Sequence, residues 1–476
     1  MPDVSPSARV TAAVDHVPVR EKIGLGLGKL VADGSHGTLH VLVNPIYNMT
    51  LGLNPALIST IVFIQRLWDG MLDPVWGSFS DNFRSKWGRR RPLIAVASLP
   101  LALLFAALWF FPRDASSNGL FWHLLLVSLA FYTAHSLYSM PLGGLILEAT
   151  DDYHERTRLA SIIFAFGFAF QIASQWVFPL TQLAAFGDSI TGLRWVAAGC
   201  GVVFLIAGVA PLWLCHERHY GRVAARQPRT SLFASLRTVR DNPTFLALLS
   251  ARFVLSLGYN LVGMLGIYMN AYFVFGGDLK AAGWAYGFLG SSFHVAAILG
   301  SLFVYPWLTR RYGKKRTLQI AIGILLFGCA SKLFVYQPSL PWLQFIVLIT
   351  NGAASGGFFI IPNAMLGDIA DYDEWRTGLR REALFTSLLS WFEKAGNSVG
   401  SLVAGFVLVW IGFSAKLGAQ THETLRLMQL AYFAMPSSGA LLALWLIRRY
   451  DLNEARAYEI KDALAIRHAA ALASPS

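Results

Sequence analysis

Long apolar runs, separated by short polar segments, recur along almost the whole chain. Each run holds about 20 or more residues with few charges, which is what an α-helix needs to cross a bilayer. Several runs are longer than a bilayer is thick, so we expect those helices to tilt or to extend beyond it. The pattern predicts twelve membrane-spanning helices near residues 23–47, 55–81, 92–112, 120–148, 158–184, 193–214, 245–274, 281–308, 317–336, 341–367, 383–412 and 424–447.

The composition agrees with a membrane protein. The 476 residues are 55% hydrophobic and 14% charged, whereas soluble domains carry about 25% charged residues. The polar stretch from Met1 to Glu21 has no apolar centre and no cleavage site, so we expect no signal peptide. The three cysteines lack metal-ligand spacing, and we expect them to be small apolar residues in helices.

The basic residues fall almost entirely on one side of the predicted topology. Dense basic clusters follow spans two, six and eight, whereas the opposite loops carry only Arg113, Lys280 and Lys416. By the positive-inside rule, we expect a multi-pass protein of the plasma membrane with both termini cytoplasmic. Topology then accounts for the net charge of +12, and no basic patch remains to indicate nucleic-acid binding.

Two carboxylates, Asp69 and Asp73, lie within the second apolar run. Residues four apart share one face of a helix, and a charge near the bilayer centre costs about 2.5–3.5 kcal/mol on insertion scales. Such a pair requires a partner, and a cation is the obvious one. The alternative is that the acids pair with a basic residue such as Lys394 and only hold helices together. The two roles are compatible, because an ion could displace the lysine.

Two groups of motifs recur at an interval of six spans. Lys86-Trp-Gly-Arg-Arg-Arg91 after span two matches Arg311-Tyr-Gly-Lys-Lys-Arg316 after span eight. Pro141, Glu148 and Asp152-Tyr153 near span four match Pro362, Asp368 and Asp371-Tyr372 near span ten. One transporter architecture has two six-helix halves that repeat in the same orientation, and it binds substrate between them at the membrane midplane. We therefore predict a cytoplasmic N-terminal tail (1–22), a six-helix half (23–214), a cytoplasmic linker (215–244), a second six-helix half (245–449) and a cytoplasmic C-terminal tail (450–476).

Several of these motifs together resemble those of a known family. They are Trp68-Asp69-x-x-x-Asp73-Pro74-x-x-Gly77 and Arg84-Ser-x-Trp-Gly-Arg89 in the first half, and Asp368-x-x-Asp371-Tyr372-x-Glu374, Arg381-Glu382 and Lys394-x-Gly396 in the second. The chain resembles the glycoside–pentoside–hexuronide:cation symporters, the melibiose-permease-like group of the major facilitator superfamily. The resemblance implies an all-α membrane protein with the major facilitator fold, in which twelve transmembrane helices form two pseudo-repeated six-helix halves.

The resemblance also implies a cation site. Asp69 and Asp73 match the family's paired cation-binding acids, Ser136 matches a hydroxyl ligand, and Lys394 matches a lysine near the site. Ser139 stands where the family has a third acid. Hard cations prefer oxygen ligands, so losing a carboxylate weakens the case for Na⁺. It strengthens the case for H⁺, because a buried carboxyl can titrate. Both ions stay open, and we expect no other cofactor and no structural metal.

A substrate site is expected near the middle of the membrane. Asp33 aligns with a family acid that hydrogen-bonds sugar hydroxyls, and His36 follows it by nearly one turn. Tyr259, Asn260 and Trp391 lie mid-span and are candidates for the rest of an apolar pocket with a few polar groups. For Tyr259 and Trp391, ordinary packing or an interfacial position is the alternative.

Three positions depart from the family's sugar site. Phe164 stands for a helix-five arginine, Gly143 for a helix-four tryptophan, and Ser139 for the helix-four acid. A galactoside pocket is therefore mostly absent, and we expect another glycoside or a substrate that is not a sugar.

Charged residues on the predicted cytoplasmic side are expected to form a gate. Ion pairs between the halves would close the inner side and break as the halves rock; solvated topology determinants are the alternative. The candidates are Asp81, Arg84, Arg89, Glu148, Arg156 and Asp371.

The sequence as a whole favours a transporter. We expect a cation-coupled symporter of a sugar or glycoside that works by alternating access, with a lysolipid or other amphiphile carrier as the alternative. No nucleophile elbow, metal-ligand cluster or phosphate-binding loop indicates an enzyme. The expected partners are the small-molecule substrate and the lipid bilayer, and we expect a monomer.

Overall fold

The computed structural model describes residues 16–85, 87–150, 153–217, 242–378, 382–415, 417–452 and 454–473. Within these ranges the chain is helical and has no β-strand. Most of the predicted N-terminal tail (1–22) and linker (215–244) lies outside the described residues, as do Lys86, Asp152, Arg381 and Lys416.

The twelve predicted spans fall on helical segments, which confirms the all-α fold class. The helices of the first half are α1 Val19–Val43, α2 Pro55–Asn82, α3 Arg91–Ala107, α4 Ser117–Leu147, α5 Tyr153–Ser174 and α6 Ser189–Leu214. Those that follow are α7 Pro243–Tyr268, α8 Leu279–Leu299, α9 Tyr305–Val335, α10 Gln344–Thr377, α11 Glu382–Trp410, α12 His422–Arg448 and α13 Glu454–Ala473. Helices α1, α7 and α8 each continue into a π-helical turn, at Asn44–Thr50, Met269–Val274 and Gly300–Val304.

Side-chain caps define where several of these helices begin. Asp188 accepts hydrogen bonds from the backbone of Ile190 and Thr191 at the start of α6. Hydrogen bonds from Thr191, with a contribution from Arg113, lower the pKa of Asp188 to about 2. A carboxylate at a helix N-terminus also interacts favourably with the helix dipole. The same capping arrangement occurs at Ser116, Asn242, Asp278 and Thr421.

Two glycines explain why one loop motif occurs twice. Gly88 has a φ of 100° and Gly313 a φ of 73°, a region that glycine adopts readily and other residues rarely do. Gly313 interrupts the helical geometry of α9, so the chain changes direction there and predicted spans eight and nine separate. The turn occupies the place of the predicted basic loop.

The outward faces of the helices suit a lipid environment. In the described part of the chain, six helical segments are long and apolar enough to cross a membrane: 117–147, 189–214, 243–274, 279–335, 341–377 and 422–448. On α6, Trp195, Ile206 and Trp213 are 67%, 70% and 76% exposed. Large apolar side chains exposed along one helix indicate contact with lipid or a partner rather than with water.

The described residues form two compact units. The first contains 16–45 and 67–217, and the second contains 46–66 and the chain from 242 onward. The start of α2 thus groups with the second unit, where the Ser59 hydroxyl lies 3.7 Å from the Met264 sulfur. The repeat in the sequence placed the whole of α2 in the first half.

Small residues let one pair of helices approach closely in each unit. In the first, a Cβ at Gly34 of α1 would lie 2.5 Å from the ring of Phe170 on α5. In the second, a Cβ at Gly396 of α11 would lie 2.5 Å from the carbonyl oxygen of Phe253 on α7. Glycine at such positions permits the van der Waals packing that drives helix association in lipid.

The predicted C-terminal tail contains the additional helix α13. Its Ile460 and Leu464 are each 5% exposed and join the apolar core of the second unit. Lys461 on the same helix lies 3.6 Å from Asp368 of α10. Burial of apolar side chains one turn apart explains why this helix packs against the unit.

Candidate functional site

The structure brings the two intramembrane acids together with a serine. The Ser136 hydroxyl lies 2.5 Å from Asp73 Oδ1 and 3.4 Å from Asp69 Oδ1. Ser136 and Asp69 are buried, at 0% and 6% exposed. Next to Asp69, the Trp68 indole donates to the hydroxyl of Thr133, nearly one turn before Ser136, at 3.0 Å, which holds α2 against α4. Three of the four predicted cation ligands therefore share one site.

A histidine that the sequence analysis missed lies beside these acids. His135 Nδ1 is 4.0 Å from Asp69 Oδ1, and its Nε2 is 2.8 Å from the backbone oxygen of Ala32. The rule that singled out the acids applies here too, because an ionisable residue within an apolar run is itself a functional candidate. His135 directly precedes Ser136 and could have been found that way.

The remaining predicted members of the cation site are Ser139 and Lys394. Ser139 is half-buried on α4, nearly one turn after Ser136. Lys394 is half-buried on α11 in the second unit, next to Glu393. Their roles as ligand and counter-charge stay predictions.

The substrate candidates of the first unit lie on α1. Asp33 pairs with Lys29 at 2.9 Å, and the two side chains are 36% and 33% exposed. The ring of His36 is centred 4.7 Å from that of His40 and 5.9 Å from that of His135. His36 therefore lies in a row of three histidines, His40, His36 and His135, of which His135 lies beside Asp69.

The candidates of the second unit differ in their surroundings. Asn260 donates to Asn397 Oδ1 at 2.5 Å and accepts from the Ser401 hydroxyl at 3.3 Å. Tyr259 packs edge-on against aromatic rings of α10, which agrees with the packing alternative. Trp391 is 56% exposed. Asn260 thus has two polar side chains of α11 within hydrogen-bonding distance.

A buried ion pair of the second unit also escaped the sequence analysis. Arg252 on α7 is 2% exposed, and its Nη2 lies 2.5 Å from Glu393 Oε2 on α11. The guanidinium also donates to the backbone oxygen of Phe358 and lies over the ring of Phe359, 4.7 Å from its centroid. Both charges occur within predicted spans, so the rule for intramembrane charges could have identified them.

The predicted gate residues form ion pairs inside the first unit. Arg90 Nη2 lies 2.9 Å from Glu148 and 3.0 Å from Asp81, and Arg89 also pairs with Glu148. In the second unit, Lys314 pairs with Asp368 at 2.6 Å. Glu148 and Asp368 are matching positions of the sequence repeat, so the repeat extends to its ion pairs.

The other gate candidates are Arg84, Arg156 and Asp371. Arg84 is exposed, Arg156 is exposed and donates to the Thr150 backbone oxygen at 3.1 Å, and Asp371 is half-buried on α10. Because the pairs described above each lie within one unit, a gate between the halves stays a prediction.

Glu217 anchors the start of α3 and was missed by sequence analysis. Its carboxylate accepts backbone hydrogen bonds from Arg89, Arg90 and Arg91 at 2.9, 2.8 and 2.9 Å. These donors belong to a helix N-terminus that has no side-chain cap of its own. A Cβ at Gly88 would lie 2.6 Å from this carboxylate, which is a second reason for glycine there.

Replacing Glu217 with alanine should destabilise the protein. Hydrogen bonds to a charged group contribute about 1.5–3 kcal/mol, and we expect the free energy of unfolding to fall by roughly this amount. Denaturation of the purified protein in detergent would measure it. Glu217→Gln retains one acceptor oxygen and should lose less; equal stability of all three proteins would contradict the assignment.

Carboxylates gathered inside the spans of a helical membrane protein indicate a path for ions or substrate, as in membrane transporters. More particularly, the chain belongs to the family described as MFS/sugar transport protein, whose sequence model matches residues 24–454. This match confirms the resemblance to the major facilitator superfamily, and with it the expectation of a transporter rather than an enzyme.

Relatives align over most of their length. The uncharacterized symporter YnaJ of Bacillus subtilis (strain 168) is 27% identical, over 93% of this chain and 93% of its own. The isoprimeverose transporter of Lactiplantibacillus pentosus is 22% identical, over 92% and 90%. The glucuronide carrier protein homolog of Escherichia coli (strain K12) is 24% identical, over 93% and 94%. The protein is therefore an integral membrane protein of a transporter family.

Solved structures show the same fold. A bacterial homolog of the human lysosomal transporter Spinster, inward-facing and unoccupied, has a TM-score of 0.66 at 18% identity, covering 91% of this chain and 98% of its own. The nucleoside transporter NupG has a TM-score of 0.64 at 16% identity, covering 91% and 99%. These likenesses establish the major facilitator fold.

Proposed function

We propose that the protein is a cation-coupled symporter of a glycoside in the plasma membrane. The observation that carries this proposal is the buried site in which Ser136 contacts both Asp69 and Asp73. Two carboxylates that share one hydroxyl repel each other unless a cation or proton lies nearby. Binding of the coupling ion, H⁺ or Na⁺, removes this repulsion.

Coupling follows from the linkage between the ion and the substrate. If a bound ion raises the affinity for the glycoside, the glycoside raises the affinity for the ion by the same factor. Asp33 and His36 would supply polar contacts to sugar hydroxyls, and Asn260 would supply one from the second unit. The two halves would alternate access by rocking about the site, with both termini cytoplasmic.

The choice of a glycoside rests on the relatives. Two of them are named for isoprimeverose and for glucuronide. The alternative, an amphiphile carrier, has one observation in its favour. Phe164, which stands where the family resemblance implies a sugar-binding arginine, is 59% exposed.

An uptake assay in proteoliposomes tests the proposal. Isoprimeverose, a methyl β-glucuronide and lysophosphatidylcholine would each be offered under an imposed H⁺ gradient, an imposed Na⁺ gradient, or neither. We expect accumulation of a glycoside under one of the gradients and none in liposomes without protein. Glycoside uptake that ignores both gradients would contradict coupling, and transport of the lysolipid alone would favour the amphiphile carrier.

A further inference from the structure

A cavity of about 400 Å³ lies in the second unit, beside the basic turn at Gly313. The turn itself lines the cavity, together with Asp368 of α10, the residues that follow α12, and the first turns of α13. The volume falls within the range of about 300–1,000 Å³ that ligand sites occupy. Tyr450, which lines the cavity, is 2% exposed, so the cavity extends into the packed protein.

The lining of this cavity has an excess of positive charge. Its charged side chains are four cations and one carboxylate: Lys314, Lys315, Arg316, Lys461 and Asp368. Asp368 lies 2.6 Å from Lys314 and 3.6 Å from Lys461. Within the described part of the chain, no carboxylate forms an ion pair with Lys315 or Arg316. The cavity is therefore complementary to an anion with several acceptor oxygens.

The matching turn of the first unit contains its own anions. Glu217 accepts hydrogen bonds from the backbone of Arg89–Arg91. The side chains of Asp81 and Glu148 form ion pairs with arginines of the same turn. Three carboxylates thus balance three arginines there.

The second turn keeps the cations of the repeat but has fewer carboxylates. Asp368 is the one that the two turns share, and Pro306 stands where the first turn has Asp81. Asp451 follows the end of α12 at the interval at which Glu217 follows the end of α6, but Asp451 is exposed and does not line the cavity. A bound anion would supply the negative charge that carboxylates supply in the first turn.

Two tryptophan–arginine pairs indicate that the cavity lies at the level of lipid headgroups. The guanidinium of Arg311 is 5.6 Å from the ring centroid of Trp307 on α9, and that of Arg449 is 4.2 Å from Trp445 on α12. The two tryptophans are 55% and 48% exposed, and Phe303, one turn before Trp307, is 66% exposed. Tryptophan is enriched at the membrane–water interface, and exposed apolar residues beside it suit acyl chains.

We propose that this cavity binds the phosphate group of an anionic phospholipid. Arg316 and Lys461 contact the phosphate oxygens, and the acyl chains lie along the exposed apolar face of α9. Arginine suits this role because its planar fork of donors matches phosphate geometry, and basic pockets between membrane helices bind acidic lipid headgroups. Inorganic phosphate offers the same oxygens without the chains. The inference concerns the second unit alone and does not depend on the transported substrate.

Native mass spectrometry of the detergent-purified full-length protein tests the site. Phosphatidylglycerol or phosphatidylcholine with the same acyl chains would be added, and we expect several-fold more of the anionic lipid to stay bound. The double variant Arg316→Gln/Lys461→Gln should lose this preference. Both side chains are largely exposed, so the variant should fold. Lys315 is left in place because it also donates to the backbone oxygens of Arg448 and Tyr450.

The matched control is Arg20→Gln/Arg158→Gln. It removes the same number of charges from exposed positions in the first unit and should retain the preference for phosphatidylglycerol. Undiminished retention of this lipid by the cavity variant would overturn the site. Inorganic phosphate that displaces the lipid at an ionic strength where chloride does not would overturn the choice of a lipid and identify a soluble anion as the ligand.

Thermal unfolding in mixed micelles provides a second measurement. A ligand that binds only the folded state raises the unfolding midpoint. We expect phosphatidylglycerol to raise the midpoint of the natural protein and of the control variant, and to change that of the cavity variant much less. An equal shift in all three proteins would contradict a defined site and indicate a general effect of the anionic micelle surface.

Discussion

Asp73→Asn should abolish gradient-driven accumulation while leaving substrate exchange across the liposome membrane. Asparagine has nearly the size of aspartate and can still accept a hydrogen bond from Ser136, but it carries no charge to attract the coupling ion. At an imposed potential of about 100 mV, one charge is worth about 2.3 kcal/mol, so the loss corresponds to roughly 50-fold in accumulation. Paired uptake and exchange measurements on the same proteoliposomes would check this result.

The control for this variant is Asp114→Asn. Asp114 is an exposed acid between α3 and α4, so its neutralisation removes a charge without touching the site. It should accumulate substrate like the natural protein. Wild-type accumulation by Asp73→Asn would remove Asp73 from the coupling mechanism, whereas loss of both accumulation and exchange would indicate a damaged protein.

Arg252→Leu should cause the largest loss of stability. The substitution leaves Glu393, whose side chain is 27% exposed, without the guanidinium that lies 2.5 Å away. Removing one partner of a buried ion pair destabilises proteins by about 3–5 kcal/mol, mainly because the other charge stays uncompensated. The shift in the unfolding transition of the detergent-purified protein would measure this effect.

Two further variants show whether the isolated charge is the cause. Arg252→Leu combined with Glu393→Leu should recover much of the loss, because replacing both charges removes the desolvation penalty. Arg113→Leu breaks the exposed pair with Asp188, whose side chains are 55% and 48% exposed, and should have a much smaller effect. Stability of the single Arg252→Leu variant equal to that of the natural protein would contradict the argument.

The sequence alone predicted the spans and the fold class well, for a direct physical reason. In a bilayer, backbone groups must be hydrogen-bonded within each segment, so a long apolar run has few options besides a helix. The repeated loop motifs also correctly predicted that matching positions in the two halves have similar structures. Its glycines, Gly88 and Gly313, both have positive φ values, and its paired charges, Glu148 and Asp368, both form ion pairs.

The candidate site was predictable only in part. Asp69 and Asp73 stand out because charges are costly in lipid, and the family pattern pointed to Ser136. By contrast, the approach of His135 to Asp69 depends on the packing of α4 against α1 and α2. No spacing along the chain encodes that approach, because the residues involved are more than 60 positions apart.

The amino-acid sequence by itself thus determined the helices, the family and the acid pair, since each follows from local hydrophobicity or from a contiguous motif. Tertiary structure alone decided which charges meet: Arg252 with Glu393, and Glu217 with the start of α3. It also decided that the start of α2 groups with the second unit. These outcomes depend on how helices distant in sequence pack, and packing is a property of three-dimensional surfaces rather than of order along the chain.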